Sequence, residues 1–179
     1  MLKKNRLNAR FSLVLFAVGI ATFAVHEFAH WIAGVALGYE MLASPNHVWP
    51  TGDVHHADAA LISAAGPLVT ISQGVLGYFL VRSHRSLFGF ALLYMAFFTR
   101  LLAAAVSILN PNDEARISSY LGYGQWTVPA VVVTALFVLT HLASRRLNLS
   151  FRDQFLCYVA ASFAVSLVVG IDHFFFGKV

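Results

Sequence analysis

The chain has 179 residues, of which 59% are apolar and 11% are charged, and its formal net charge is +4. Soluble domains carry about 45–50% apolar and about 25% charged residues, so this composition excludes an ordinary soluble domain and predicts an all-α polytopic membrane protein. Disulfides within the chain are excluded as well, because it contains a single cysteine.

Five apolar runs are long enough to cross the hydrocarbon core of a bilayer, which takes about 20 helical residues. No repeat, low-complexity tract or linker divides the chain, so we expect residues 1–179 to form one domain. The connections are short, except for segments 40–58 and 110–125, which hold most of the acidic residues. The predicted spans are Phe11–Tyr39, Ala59–Val81, Ser86–Leu109, Trp126–Ala143 and Phe155–Phe176.

The distribution of lysine and arginine predicts which ends of the spans face the cytoplasm, where basic loops are retained. With a cytoplasmic N-terminus, the inner segments carry nine basic residues and the outer segments carry two. We therefore expect a multi-pass protein with its N-terminus in the cytoplasm. The membrane surface accounts for the positive charge without a nucleic-acid partner. The nine are Lys3, Lys4, Arg6, Arg10, Arg82, Arg85, Arg145, Arg146 and Arg152, and the two are Arg116 and Lys178.

The first span contains AVHEFAHWIAG, which places two histidines and a glutamate in an otherwise apolar helix. Residues four apart share a helix face, so His26 and His30 can bind one zinc ion. Glu27 then lies beside them as general base to the water that zinc activates. The alternative is a pair of histidines satisfied within the core. An ionised Asp, Lys or Arg in a span costs about 2.5–3.5 kcal/mol, and this scale of cost favours a metal as the compensating partner.

A third protein ligand, which catalytic zinc usually has, is best supplied by Asp113, shortly after an Asn-Pro break. The alternative role is capping, in which Asn110 begins a short helix and Asp113 favours its dipole, and the two roles can coexist. If Asp113 is not the ligand, Glu114 or a loop histidine would take its place. We expect the histidines and carboxylates of the first outer loop, His47 among them, to be solvated.

Arg100 is a charge within the third span, and such residues are functional candidates by default. One interpretation is structural, an ion pair with Asp172, Asp113 or Glu114. The other is a direct role, in which Arg100 holds a peptide carbonyl or a zinc ligand.

Three motifs follow one another along the chain: HEFAH at 26–30, ISAAGPLVT at 62–70 and LNPND at 109–113. In this order they resemble motifs of the site-2 protease-like intramembrane zinc metalloproteases. The first is similar to the family's zinc helix, in which a small residue and a glycine follow the second histidine. The second resembles its Gly-Pro-x-x-Asn element. The third resembles its Asn/Pro-containing segment, whose aspartate is a zinc ligand.

The resemblance implies further roles. Gly66, Pro67 and Thr70, together with Asn110, are expected to help bind an extended substrate strand. The loop after the first span is expected to form a membrane-dipping hairpin that pairs with the substrate. Thr70 stands where the family has asparagine, whose amide Gln73 could replace. The family's zinc lies toward the cytoplasm, whereas the charge distribution here predicts the opposite face.

The sequence therefore predicts a zinc-dependent intramembrane endopeptidase, with Zn²⁺ as cofactor and with a transmembrane protein substrate and the lipid bilayer as partners. His26, His30 and Asp113 would hold zinc, and Glu27 would move a proton from water to the leaving amine. Two alternatives stay open. One is a zinc hydrolase acting on a lipid, and the other is a non-catalytic metal-binding membrane factor.

Overall fold

A computed structural model of the protein describes residues 7–177. Within them, five long apolar helices could cross a membrane by length and composition, and one short helix and one small sheet complete the fold. The predicted all-α polytopic class is confirmed. The helices are α1 (Ala9–Ala36), α2 (His56–His84), α3 (Leu87–Val106), α4 (Asp113–Tyr120), α5 (Thr127–Leu147) and α6 (Phe151–Phe176), and the strands are β1 (Met41–Ser44) and β2 (His47–Pro50). The basic residues Lys3, Lys4, Arg6 and Lys178, used in the charge count, lie outside the described residues.

The helices begin and end a few residues from the predicted positions, because polar capping groups define their ends. Helix α3 ends at Val106, where Leu109 was predicted, and a turn follows in which the Ser107 hydroxyl accepts the Asn112 N–H at 3.1 Å. Helix α6 begins at Phe151, where Phe155 was predicted, because a capping box precedes the apolar run. Apolar periodicity does not register such polar terminal turns.

The long helices alternate in direction, as short connections require. Arg85 and Asn148 adopt left-handed backbone, with φ of 52° and 56°, at the turns that follow α2 and α5. The N-terminal ends of α1 and α6 meet, because the Leu7 N–H donates to Asp153 Oδ1 at 3.0 Å. Helices α1 and α6 therefore run in the same direction.

The bundle has two halves along its length. The apolar half contains the starts of α1, α3 and α6 and the ends of α2 and α5. The polar half contains the ends of α1, α3 and α6, the starts of α2 and α5, the hairpin and α4. In the apolar half, α2 and α3 approach so closely that a Cβ added at Gly77 would lie 2.5 Å from the Gly89 carbonyl oxygen. Small residues permit such backbone contact between membrane helices. The buried cluster of this half includes Leu7, Phe11, Leu15, Val18, Val81, Phe90, Leu93, Tyr94, Met95, Leu147, Cys157 and Ala161.

Strands β1 and β2 form an antiparallel hairpin that folds back along α1. The Trp31 Nε1–H donates to the Met41 carbonyl oxygen at 3.3 Å, and the Met41 side chain packs over Gly34. The hairpin turn lines a groove together with Glu27, which lies nine residues before the end of α1, about 13 Å back along the helix. The loop thus has the backward course expected of a membrane-dipping hairpin, and its depth in a bilayer stays a prediction.

Helix α4 brings polar residues back into the bundle. The turn after α3 reverses the chain, and Asn112, not Asn110, is the N-cap of α4. The capping assignment to Asn110 is therefore wrong by two positions, because the turn after α3 delays the start of the next helix. Asp113 and Glu114, in the first turn of α4, are 5% and 3% exposed.

Candidate metal centre

Two imidazoles from α1 and one carboxylate from α4 meet in the polar half. His26 and His30 place their Nε2 atoms 3.1 Å apart. Asp113 Oδ2 lies 3.2 Å from His26 Nε2 and 3.3 Å from His30 Nε2. All three residues are buried, and together they could hold one metal ion. No other such group of three occurs within residues 7–177.

The donor atoms have spacings that fit zinc. Zn–N and Zn–O bonds are about 2.0–2.1 Å long, so neighbouring ligand atoms of a tetrahedral site lie about 3.3 Å apart. The three separations here run from 3.1 to 3.3 Å. Three protein ligands of the histidine and carboxylate types are the usual number in catalytic zinc sites, whereas structural sites have four.

Helix α2 supplies partners for the Nδ1 atoms of both imidazoles, whereas Asp113 approaches their Nε2 atoms. His26 Nδ1 lies 3.0 Å from Thr70 Oγ1, and His30 Nδ1 lies 2.6 Å from the Ile62 carbonyl oxygen. Gly66 makes this approach feasible, because a Cβ there would overlap His30 Nε2 and His26 Cε1. Pro67, the next residue, has no N–H to donate to the Ser63 carbonyl, which neighbours the Ile62 carbonyl that His30 contacts.

The second carboxylate oxygen of Asp113 has a partner of its own. Arg116 Nη2 donates to Asp113 Oδ1 at 2.7 Å, one helical turn further along α4. Burial alone would raise the pKa of Asp113, but the contacts with His26 and His30 hold that pKa well below its usual value. The ionised carboxylate is the form that binds a metal ion.

Arg100 of α3 lies close to both acidic residues of α4. Its Nη1 is 3.2 Å from Glu114 Oε1 and 3.8 Å from Asp113 Oδ2. Its Nε has no hydrogen-bond partner among the described residues. Of the three ion-pair partners considered from the sequence, Asp172 is engaged elsewhere, because its Oδ1 accepts the backbone N–H of Asn46 at 3.3 Å.

A cavity of about 480 Å³ opens beside the three candidate ligands. Glu27 lines this cavity, next in sequence to His26, and Arg100 lines it from α3. Apolar side chains of α3 and α6, such as Leu102 and Val169, complete much of its wall. A carboxylate, a cation and the metal-ligand cluster thus share one cavity with a largely apolar surface.

Several residues line the cavity although no sequence pattern identifies them as site residues. Asn46 and His47 reach the cavity from the hairpin turn, and Asn112 and Arg116 reach it from the start of α4. His47 is exposed, as expected of a loop residue, yet it lines the cavity because the hairpin folds back. In the sequence, only the length of the two outer loops indicates that they fold back toward the bundle.

The residues expected to bind substrate are placed differently from one another. Gly66 and Thr70 contact the imidazoles and do not line the cavity. Pro67 is buried beside them. Asn110 is exposed and also lies off the cavity wall. The amide of Gln73 bonds to Thr22 at 2.9 Å and to the Leu92 carbonyl at 3.0 Å, so it links α1, α2 and α3 away from the cavity.

Comparisons with family models, with curated proteins and with solved structures found no match to this chain.

Proposed function

We propose that this protein is a zinc-dependent intramembrane endopeptidase of the kind that its three motifs resemble. The observation that carries the proposal is the convergence of His26, His30 and Asp113, with donor atoms 3.1 to 3.3 Å apart, inside a bundle of membrane-length helices. Arg100 and Arg116 pair with the carboxylates, but a metal ion would also engage the Nε2 atoms of the two imidazoles.

The residues of the cluster divide the chemistry between them. His26, His30 and Asp113 would hold the zinc ion. When bound, zinc supplies an activated water and polarises the carbonyl under attack. Glu27 follows His26 directly and lines the same cavity, so its carboxylate would be available to accept a proton from the attacking water and pass it to the leaving amine.

A transmembrane peptide is the substrate that suits the surroundings of the cluster. The carbonyls of a helical peptide are hydrogen-bonded, so a substrate must be extended before it can be cut. Hairpin β1–β2 has only two strands, and each strand leaves one edge unpaired within the sheet. An extended segment can add to such an edge. Asn46 and His47 connect this hairpin to the cavity that holds Glu27.

Water must also reach a hydrolase site within a membrane. The cavity has polar residues on the side formed by the hairpin turn and by α4, namely Asn46, His47, Asn112 and Arg116. Its apolar wall comes from α3 and α6. We infer that water enters from the polar side and that the apolar side accommodates the side chains of the substrate.

The decisive variant is Glu27→Gln, which keeps size and hydrogen bonding but cannot accept a proton. Cleavage of a reconstituted single-span peptide should fall by about 10²–10⁴-fold, the usual contribution of a general base, while zinc content stays near one per chain. Glu40→Gln is the matched control, because Glu40 is exposed and lies off the cavity wall. Peptide cleavage by Glu27→Gln at the wild-type rate would refute the mechanism.

The same preparations separate the alternatives. Elemental analysis of wild type and His30→Ala should show about one zinc lost with the histidine. Wild type that binds no zinc after metal-replete purification would remove the proposal. Glu27-dependent hydrolysis of a lipid ester, with no peptide cleavage, would establish the lipid hydrolase instead. Zinc binding without either activity would establish a metal-binding membrane factor.

A further inference from the structure

Gly66 and Thr70, one turn apart on α2, face the candidate metal ligands and not the cavity. Thr70 is 1% exposed, and its hydroxyl oxygen lies 3.0 Å from His26 Nδ1. Neither Gly66 nor Thr70 lines the cavity that a substrate would enter. Thr70 therefore has almost no surface that a substrate could contact. This placement separates Thr70 from the substrate-binding role that the motif resemblance implies.

The Thr70 hydroxyl can accept a hydrogen bond from His26 while it donates its own proton to the backbone. A threonine hydroxyl has one proton to donate and can accept other hydrogen bonds. Thr70 Oγ1 donates to the Gly66 carbonyl oxygen at 3.1 Å, and a carbonyl can only accept. With zinc held at Nε2, His26 would carry its ring proton on Nδ1, so the 3.0 Å contact would run from the Nδ1–H of His26 to Thr70 Oγ1. This tautomer would direct the Nε2 lone pair to the metal that Asp113 and His30 also bind.

His30 has an equivalent anchor in the backbone. Its Nδ1–H donates to the Ile62 carbonyl oxygen at 2.6 Å, which again leaves Nε2 as the ligand atom. The anchor of His30 is a backbone carbonyl, which no side-chain substitution removes. The anchor of His26 is the Thr70 hydroxyl, which a substitution can remove. Metal-bound histidines commonly donate their other ring N–H to such a partner, which sets the tautomer and the ring orientation.

We propose that Thr70 is a positioning residue for His26, and that the Gly66–Thr70 turn serves as a platform for both imidazoles. This inference rests on the metal centre of the proposed function. Gly66 admits the rings against α2, and Thr70 orients one of them. The substrate binds elsewhere, on the hairpin and the cavity wall.

Thr70→Val preserves the shape of the side chain and removes the hydroxyl, and Thr70→Ser retains the hydroxyl. Zinc affinity, measured by competition with a chelator in detergent, should weaken by about 10–100-fold in Thr70→Val and stay near wild type in Thr70→Ser. Thr140→Val is the matched control. Thr140 is also buried and donates to the carbonyl four residues earlier, at 2.7 Å, but it lies on α5.

A spectroscopic readout tests the contact itself. In zinc-loaded protein labelled with ¹⁵N-histidine, Thr70→Val should shift the Nδ1–H signal of His26. The Nδ1–H signal of His30, bonded to the Ile62 carbonyl, should not move and serves as the internal reference. Thr70→Ser keeps the wild-type spectrum. If Thr70→Val does not fold, Thr70→Ala provides the same loss of the hydroxyl.

The outcomes distinguish this inference from the proposed function. Unchanged zinc affinity in Thr70→Val, with a raised KM for the peptide, would overturn the positioning role and restore a substrate-binding one. Equal loss of zinc in Thr70→Val and Thr140→Val would overturn it too, by attributing the effect to general destabilisation. Absence of zinc from the wild type would overturn the proposed function and this inference together.

Discussion

The apolar half and the polar half are built from the same helices, yet they bury different chemistry. Helix α1 buries Leu15 in the apolar half and His26 in the polar half, and α3 buries Phe90 and then Arg100. Each helix therefore buries apolar packing residues at one end and residues of the candidate site at the other. The transition occurs within a few turns, without a break in either helix.

The difference shows how a small bundle can hold a cavity. Protein interiors are close-packed, and an empty space in a core is destabilising. Here the close packing is concentrated in the apolar half, where Leu15, Phe90, Leu93 and Met95 have no exposed surface. The polar half can then surround a cavity of about 480 Å³ while the other ends of its helices remain fixed.

The polar half is held together by opposite charges. Asp113 lies between Arg116 at 2.7 Å and Arg100 at 3.8 Å, and Glu114 lies 3.2 Å from Arg100. Two carboxylates and two guanidinium groups thus offset one another. Buried charges are tolerated when they are paired in this way, and removing one member leaves an uncompensated charge. The stability of the polar half therefore depends on the pairing of charged side chains, whereas that of the apolar half depends on the close packing of apolar side chains.

The largest expected effect concerns which half faces the outside of the cell. The charge distribution predicts that Asp53→Cys, in the outer loop, reacts with an impermeant thiol reagent in intact cells, and that Ser83→Cys reacts only after lysis. Both positions are exposed. The native chain is the blank, because Cys157 is buried. The opposite labelling pattern would place the polar half toward the cytoplasm, as in the family that the motifs resemble.

Two glycines of α2 test the division between the halves. Alanine at Gly66 would overlap both imidazoles, and alanine at Gly77 would press on the backbone of α3, 2.7 Å from the Leu93 nitrogen. We expect Gly66→Ala to weaken zinc binding by more than about 100-fold, beyond the usual loss of one outer-sphere partner. Gly77→Ala should destabilise the fold by about 1–3 kcal/mol with near-normal zinc affinity.

Zinc titration and thermal unfolding of both variants in detergent measure the two effects. The comparison fails if Gly77→Ala, once folded, loses as much zinc affinity as Gly66→Ala. That result would mean that packing in the apolar half controls the geometry of the cluster. Equal destabilisation without loss of zinc in either variant would instead show that the imidazoles can adjust to a Cβ at Gly66.

The fold could be predicted from the sequence because membrane crossing is a property of single segments. Twenty apolar residues in a row are sufficient evidence for a span, and all five predicted spans are helices. The shorter features could not be read in this way. The start of α4 depends on the turn around Pro111, and the strands depend on the hairpin folding against Trp31 and Gly34.

The candidate site could be predicted only where its geometry is local. His26 and His30 share a face because they are four residues apart on one helix. The sequence context of Asp113 predicts a metal ligand, but its proximity to the histidines depends on α4 returning into the bundle. The contact of Thr70 with His26 joins residues 44 positions apart. Contacts of this kind depend on helix packing, which apolar patterns along single segments do not encode.

The smallest expected effect tests whether a partially exposed charge shapes the buried cluster. Arg116 holds Asp113 Oδ1 at 2.7 Å, but half of its side chain is exposed. Water can therefore replace part of this contact, and Arg116→Gln should weaken zinc binding by about tenfold, the lower end of the usual range for such partners.

Arg152→Gln, an exposed change in the apolar half, is the control. If Arg116 contributed only a pairing one turn apart within α4, its loss would cost about 0.2–0.5 kcal/mol of stability and leave zinc affinity unchanged. Because Asp113 presents one oxygen to the imidazoles and the other to Arg116, we expect the guanidinium to restrict rotation of the carboxylate, and the zinc titration distinguishes these two roles.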